Sequence, residues 1–523
     1  MPDYWDLPYP SRRQPVLAKQ AVATSQPLAA QAGLRMLEQG GSAADAAIAT
    51  AAALTVVEPC SNGIGSDAFA IISHAGELHG LNSSGRSPAA WSPARFAGLT
   101  EMPRRGWDSV TVPGAVAAWA AVHERFGRLP FERLLEPAIS YAQDGFPVGP
   151  ITAPIWQRNA TRLTHAGWQA CFAPAGRAPQ TGERFRSADM ASTLREIAAT
   201  KGTSFYHGDL AEAIASCSAA EGGALSAADL AAHQAEWVAL AHTDFADITL
   251  HEIPPNGQGL AALIALAICR ERDVGQLACD SIAAVHVQIE AMKLALADAY
   301  AHIADPACMQ HDWHSFLEAD YIRSRAELIT DEARMIDTGK PVISDTVYLC
   351  AADREGMMVS FIQSNYDGFG SGIVVPGTGI SLQNRGHGFV LTDGHPNQVG
   401  GSKRPFHTII PGFITRAGEA LTSFGVMGGA MQAQGHLQVC LRMHAWGQNA
   451  QAAIDAPRWR VHRDSLWLEQ GFSPELADAL AERGHQLVSK PSSEFGGGQA
   501  ITRLADGYLA ASDWRKEGCA VGS

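Results

Sequence analysis

One stretch of the chain, Ser344 to Tyr366, has the residue types for nucleophilic chemistry. It reads as two short strands, Val347 to Ala352 and Met357 to Ile362, turned by Asp353-Arg-Glu-Gly356 and followed by a glycine-rich loop, Asp367 to Gly372. Thr346 stands directly before the first strand, behind Asp345. A threonine hydroxyl is a poor nucleophile near neutral pH unless a base sits beside it, and a free α-amino group with a pKa of about 7.7 to 8.0 is such a base. Cleavage between Asp345 and Thr346 would create that amine on the nucleophile's own backbone. Taken alone, Thr346 is an ordinary strand residue; its surroundings decide otherwise. Cys350, on the same face by strand alternation, has no basic neighbour to make it a reactive thiolate.

The elements that must position this stretch alternate between helix and strand. A strand at Ala21 to Thr24 precedes a helix from Pro27 to Gln39, stopped by Gly40-Gly41. Ser42 caps a second, alanine-rich helix, with Asp45 at its third position. Ala46, Ala49, Ala53 and Val57 keep one face of that helix small enough to pack closely on a sheet. The loop Cys60 to Phe69 leads into a buried strand, Ala70 to Ser73. Its G-x-G lacks the third glycine and precedes a strand, the wrong order for a dinucleotide site. Leu81 to Pro88 is turn-rich, and Arg86 within it reads as a solvated loop residue.

Further on, Val110 to Gly114 enters a helix running through Phe126, and Pro130 to Asp144 is another. Phe205 to Asp209 and Gly222 to Leu230 read as helix-boundary loops, the second capped by Ser226. A strand-rich patch, His242 to Ile253, ends in Pro254-Pro255 and a loop to Gly259. Ser281 to Ala304 is a long helix, and the polar residues from Thr330 to Ile343 form an exposed linker before the cut.

Composition narrows the function classes. The 523 residues are 46% apolar and 18% charged, as in a compact globular protein. The net charge of -14 has no basic run, so there is no footprint for nucleic acid, and an anionic substrate must be captured by local arginines. The acidic, proline-broken start is unlike a secretory signal, and the longest apolar run, Ala46 to Val57, is about six residues short of a membrane span. A cytoplasmic protein without a membrane partner is expected. Nine widely spread cysteines without a C-x-x-C pair predict free thiols, and the 19 histidines show no H-E-x-x-H spacing. Neither a metal nor another cofactor is called for.

Ser42 to Phe69, Thr111 to Gly114, Glu136 to Ala138 with Asp144 to Phe146, Phe205 to Gly208, Pro254-Pro255, the block around Thr346, Lys403 to Pro405 and Gly425 to Gly429 follow one another in a familiar order. Together they resemble the gamma-glutamyltransferase family, over nearly the whole chain to Gly522. The resemblance implies an N-terminal-nucleophile hydrolase, made as an inactive precursor and self-cleaved into a large subunit, 1 to 345, and a small one, 346 to 523. It implies an α/β fold, a four-layer αββα sandwich shared by both subunits as one co-folded unit. The two subunits are each other's partners, and the pairing of two such heterodimers is left open. Thr346 matches the family's nucleophile and Ser364 the hydroxyl that supports it. Gly428 and Gly429 match the pair whose N–H groups hold the oxyanion, where glycine lets the main chain come close to the reacting carbonyl.

The departures speak to the substrate. The family's arginine for the substrate α-carboxylate falls on Ser84, with Arg86 two residues later. The acid that meets the α-ammonium falls on Gly388, and its polar neighbour is Arg385. Two serines that close the pocket in many members are His407 and Thr408, and the asparagine after the supporting hydroxyl is Tyr366, with Asn365 one step away. An enclosed ammonium without its anion costs several kcal/mol, whereas arginine grips a carboxylate bidentately. The pocket therefore suits a carboxylate without an amine, read here through Arg86, Arg385, Tyr366, His407 and Thr408. The motifs Asp345-Thr-Val-Tyr348, Gln363-Ser-Asn-Tyr366, Gly368-Phe-Gly-Ser-Gly372 and Leu382-Gln-Asn-Arg-Gly386 resemble the cytoplasmic branch of the family that includes oxamate amidohydrolases. They point to a small carboxylate-bearing amide, with oxamate, hydrolysed to oxalate and ammonia, as the single best substrate. The alternatives are a gamma-glutamyl or glutathione hydrolase or transferase, a glutaryl-type acylase, and an unprocessed, non-catalytic member.

Overall fold

The computed structural model describes residues 12–334 and 345–523. The expected linker beyond Arg334 and the acidic start lie outside the described residues, as does the side chain of Asp345.

Two seven-stranded sheets carry the molecule, and every pairing within them is antiparallel. The first sheet runs, in spatial order, through Cys519–Gly522, Ala21–Thr24, Asp345–Ala352, Met358–Tyr366, Asp67–His74, Glu77–Ser83 and Glu236–Val238. The second runs through Val16–Ala18, Tyr508–Ser512, Gly497–Arg503, Glu419–Met427, Gly412–Arg416, Ile248–Glu252 and Ala241–Phe245. One apolar core lies between the sheets, around Phe69, Ile71, Tyr348, Ile362, Phe413 and Met427. Two larger cores lie outside them, under helices that include Ala43–Val57 on the first sheet and Gly259–Glu271 on the second. The layers are therefore helix, sheet, sheet, helix, as expected.

The local chemistry explains the elements nearest the site. Ser42 and Asp45 form the expected reciprocal cap on Ala43–Val57. Asp45 does more, since its carboxylate also accepts from the Arg128 and Leu129 N–H groups at 2.9 and 3.1 Å. All fifteen residues of that helix are buried, so its alanines serve every face and not one. Gly33 of Pro27–Glu38 is where the neighbouring helix passes closest; a Cβ there would lie 2.9 Å from the Ala46 carbonyl oxygen.

Several boundaries differ from the sequence reading. The strand expected to end at Ile362 continues to Tyr366, and the one expected at Ala70 begins at Asp67, because pairing between them carries both to the Ser364–Asp67 register. The patch from His242 is a hairpin of two strands. Phe205 to His207 are helical, with the boundary at Gly208 between Thr203–His207 and Asp209–Ala220. All nine cysteines are free thiols.

The spacing of the two sheets is set near the nucleophile strand. Tyr348 is buried between them, with its hydroxyl 2.7 Å from Ser360 Oγ. Its ring packs against Gly425 of the facing strand, where a Cβ would stand 2.5 Å from the ring. Gly425→Ala should therefore lower stability by about 1–3 kcal/mol, the usual cost of overpacking a tight core. Replacing Tyr348 with leucine in the same chain should recover part of that loss. Melting temperatures of the wild type, the two single variants and the double variant test this; additive losses would show that the contact is not what glycine protects.

Candidate active site

Pairing between the central strands breaks at one place. Asp345 stands opposite Tyr366 and Val347 opposite Gln363, so Thr346 faces two residues, Ser364 and Asn365. Such a bulge re-aims side chains, and bulges recur beside active sites. Here Thr346 Oγ1 comes 3.1 Å from Ser364 Oγ, with both residues fully buried. Ser364 Oγ also accepts from the Tyr366 N–H at 2.8 Å. Tyr366 has a φ of 76°, a conformation costly for an aromatic residue, and the strand ends there. Cys350 lies in the intersheet core with its thiol pushed up by burial, which leaves it no nucleophilic character at neutral pH.

The facing sheet supplies the glycine pair. Glu419–Met427 ends into Gly428 and Gly429, with φ of 122° and 63°, and the helix Met431–His444 follows. Neither glycine N–H has a hydrogen-bond acceptor among the described residues. Two donors at a helix N-terminus are suited to a developing negative charge. Gln258, from the Pro254 to Gly259 loop, fixes this corner: its Nε2 donates to the carbonyls of Gly429, at 2.8 Å, and of Thr408.

Arg385 is buried, with no exposed surface. Its Nη1 donates to Thr408 Oγ1 at 2.8 Å, and its guanidinium lies over the Tyr366 ring at 4.3 Å. Among the described residues its Nε and Nη2 have no acceptor. Burial pushes its pKa down to about 10, against the opposing pull of Asp67 and other anionic partners. A sealed cation with two free donors is costly on its own and is a ready grip for a carboxylate.

His407 and Asp67 form the floor. His407 Nδ1 accepts from the Ile409 N–H, so its proton is on Nε2, which donates to Asp67 Oδ2 at 3.1 Å. Burial, with the charges of Arg385 and Arg404, holds His407 neutral by driving its pKa well below the usual value. Asp67 Oδ1 accepts from the Gly85 and Gly114 N–H groups at 3.3 and 3.1 Å. Burial nonetheless raises the Asp67 carboxyl to about 7, outweighing Arg385 and those donors.

Of the residues expected at the site, Thr346, Ser364, Tyr366, Arg385 and Thr408 are joined by direct contacts, and His407 reaches them through its neighbour Thr408. Arg86 is not brought into this cluster. It is 41% exposed, donates to Asp305 at 2.6 Å and lies 3.7 Å from Glu236. The idea of two arginines converging from these segments therefore reduces to Arg385, because carboxylates of the protein already hold Arg86. Asp67 and Gln258 were missed. Both sit in stretches that the sequence reading marked, but only the fold turns their side chains toward the site.

One further cluster, His286, Glu290 and His485, has ligand atoms within 4.8 Å of one another and could hold a metal ion. A cation is already present: Lys293 Nζ donates to Glu290 Oε1 at 2.7 Å. The spacing was invisible in sequence because His485 comes from a distant segment.

The Asp67 carboxyl gives a pH test. Its ordinary pKa is 3.8, and in the fold it is about 7. Between those values the folded state keeps a proton that the unfolded state has released, so stability falls as pH rises from about 4 to 7. Asp67→Asn should flatten this dependence, with the melting temperature falling less between pH 5 and 7.5 than in the wild type. Glu58, raised to about 7 by burial, is present in both proteins and cancels in the comparison. Equal slopes would show that Asp67 ionises normally.

Comparison with known proteins agrees with this geometry. Residues 29–523 match the family model for gamma-glutamyltranspeptidase. The chain is 36% identical over 517 residues to the glutathione hydrolase-like YwrD proenzyme of Bacillus subtilis, covering 96% of this chain and 98% of that one. It is 36% identical over 512 residues to the oxamate amidohydrolase proenzyme of Klebsiella pneumoniae, covering 95% and 97%. The cephalosporin acylase of Bacillus halodurans superposes with a TM-score of 0.95 at 46% identity, over 100% of this chain and 99% of that one. The protein thus belongs to the gamma-glutamyltranspeptidase family of N-terminal-nucleophile hydrolases.

Proposed function

We propose that the chain is a self-processing threonine amidohydrolase acting on a small carboxylate-bearing amide, with oxamate, converted to oxalate and ammonia, as the substrate. The observation that carries this reading is Arg385, sealed from water with its Nε and Nη2 unmatched and Thr408 and Tyr366 fixing its plane. Cleavage between Asp345 and Thr346 yields a large subunit, 1 to 345, and a small one, 346 to 523. The new Thr346 amine takes the Thr346 hydroxyl proton as the oxygen attacks the amide carbon. Gly428 and Gly429 hold the oxyanion, ammonia leaves with the proton, and water resolves the acyl-enzyme. Ser364, 3.1 Å from the nucleophile oxygen, orients it. The similarity to an oxamate amidohydrolase supports the substrate, and the nine free thiols support a cytoplasmic setting.

An acylase reading is supported by the close superposition on the cephalosporin acylase. Intact mass and ammonia release separate these possibilities. The wild type should give two fragments, the second beginning at Thr346, while Thr346→Ala should remain one chain. The processed protein should release ammonia from oxamate and not from glutamine. Arg385→Met should lower kcat/KM for oxamate by about 10²-fold or more, since truncating one partner of a buried charge pair costs about 2–5 kcal/mol. A processed protein that prefers glutamine would overturn the substrate and leave the nucleophile standing.

A further inference from the structure

A second arginine is built like Arg385, and the reaction above does not use it. Arg460, in the strand Trp459–His462, is 1% exposed. Its Nη1 donates to the Glu494 carbonyl at 2.9 Å, and its guanidinium lies over the Trp467 ring at 5.1 Å. Among the described residues its Nε and Nη2 have no acceptor. The Glu494 carboxylate oxygen Oε2 is also buried without a donor among the described residues, and its charge acts on Arg460 without forming an ion pair with it there. Leaving both groups unmatched costs free energy that an ion pair between them would recover, so their separation calls for a ligand that satisfies each.

Their place in the fold says which ligand. Glu494 leads through Phe495 to Gly496, whose Cα would stand 3.0 Å from a Cβ on Gly428, so this loop abuts the oxyanion glycine. From the other side Tyr300, on the helix Ile282–His302, packs its ring on Phe406 at 5.2 Å, directly before His407 and Thr408. The Tyr300 phenol is within electrostatic reach of both Arg460 and Tyr366. Arg460 thus lies toward the glycine pair, through Glu494 and Gly496, and Arg385 toward Thr408.

We propose that Arg460, with Tyr300 and Glu494, forms a second carboxylate subsite on the leaving-group side, so that the substrate class extends to N-acyl amino acids carrying a carboxylate on each side of the amide. This rests on reading Arg385 as the grip for the acyl carboxylate. In an oxalyl group that carboxylate is one bond from the reacting carbon, so a second anion must be on the nitrogen side. Thr346 Oγ bonds to the acyl carbon, the C–N bond breaks, and the amino acid leaves with the proton held by the Thr346 amine. Water then cleaves the ester to release the acyl acid. Arg460 holds the departing carboxylate, and Glu494 accepts from the new amine.

N-oxalylglycine and oxamate, which differ by a carboxymethyl group on the nitrogen, provide the comparison. In the processed wild type kcat/KM should favour N-oxalylglycine, and in Arg460→Met the ratio of the two should fall by about tenfold or more, chiefly through KM. Arg385→Met should depress both substrates. Arg460→Lys, which keeps the charge, should give an intermediate ratio and serves if the methionine variant does not fold. Glutarate has the same carboxylate spacing and cannot be hydrolysed; it should raise the melting temperature of the wild type and not of Arg460→Met. If both amides are inert while glutarate still discriminates, the subsite stands and the oxamate reading fails. An unchanged substrate ratio with an unchanged glutarate shift would overturn the subsite, leaving Arg460 and Glu494 as a core pair.

Discussion

The contact between the Tyr348 ring and Gly425 is the constraint on which the site depends. Tyr348 lies two residues after the candidate nucleophile, and Gly425 three before the first glycine of the candidate oxyanion pair. Each belongs to a different sheet, and stacked sheets ordinarily stand about 10 Å apart across their side chains. Removing one Cβ lets an aromatic ring span the gap without forcing the sheets apart. The two halves of the chemistry are thereby held at one distance by packing that touches neither. The β-bulge then adjusts direction, setting Thr346 opposite both Ser364 and Asn365 where a regular ladder would give it one partner.

The second constraint is electrostatic. A buried arginine is tolerated only where its surroundings replace water, and around Arg385 they do so incompletely. Thr408 takes one donor and Tyr366 faces the guanidinium with its π cloud, but two donors face no acceptor. Asp67 is close enough to act on Arg385, yet its own burial raises its carboxyl to about 7. The protein thus under-neutralises its own cation. A ligand carboxylate completes the balance, whereas a ligand ammonium would meet a cation and a weak acid. Glu252 and His436, also fully buried, instead meet directly at 2.6 Å, while Glu252 Oε2 and His436 Nε2 have no partner among the described residues.

Much of this could be read in the chain. The capping box at Ser42, the helix ended by Gly40-Gly41, the hairpin around Asp353 and the order of family motifs are local signals, and the structure places them close to where the residues suggested. What could not be read depends on contacts between distant segments. Asp67 looks like a loop residue until Gly85, Gly114 and His407 converge on it from three places. Arg86 and Arg385 are alike as letters, and only the positions of Asp305 and Glu236 make the first an ion-pair member and leave the second open. Bulges are equally silent in sequence, since nothing in Ser364-Asn365 marks a residue without a partner.

The two buried arginines, Arg385 and Arg460, also explain why family membership does not by itself fix the substrate. The candidate nucleophile and its hydroxyl neighbour lie in paired strands and the candidate oxyanion glycines directly after one, so changing them would disturb the core. Arg385 and Arg460 each keep donors unmatched beside that core, in a loop and at a strand edge. A substitution there alters which charge is missing and leaves the sheets alone. The expensive part of the site, a preorganised oxyanion corner, can thus be kept while the cheap part, an unpaired charge, is exchanged. That division accounts for relatives named for glutathione, oxamate and acylase chemistry sharing one scaffold with this chain.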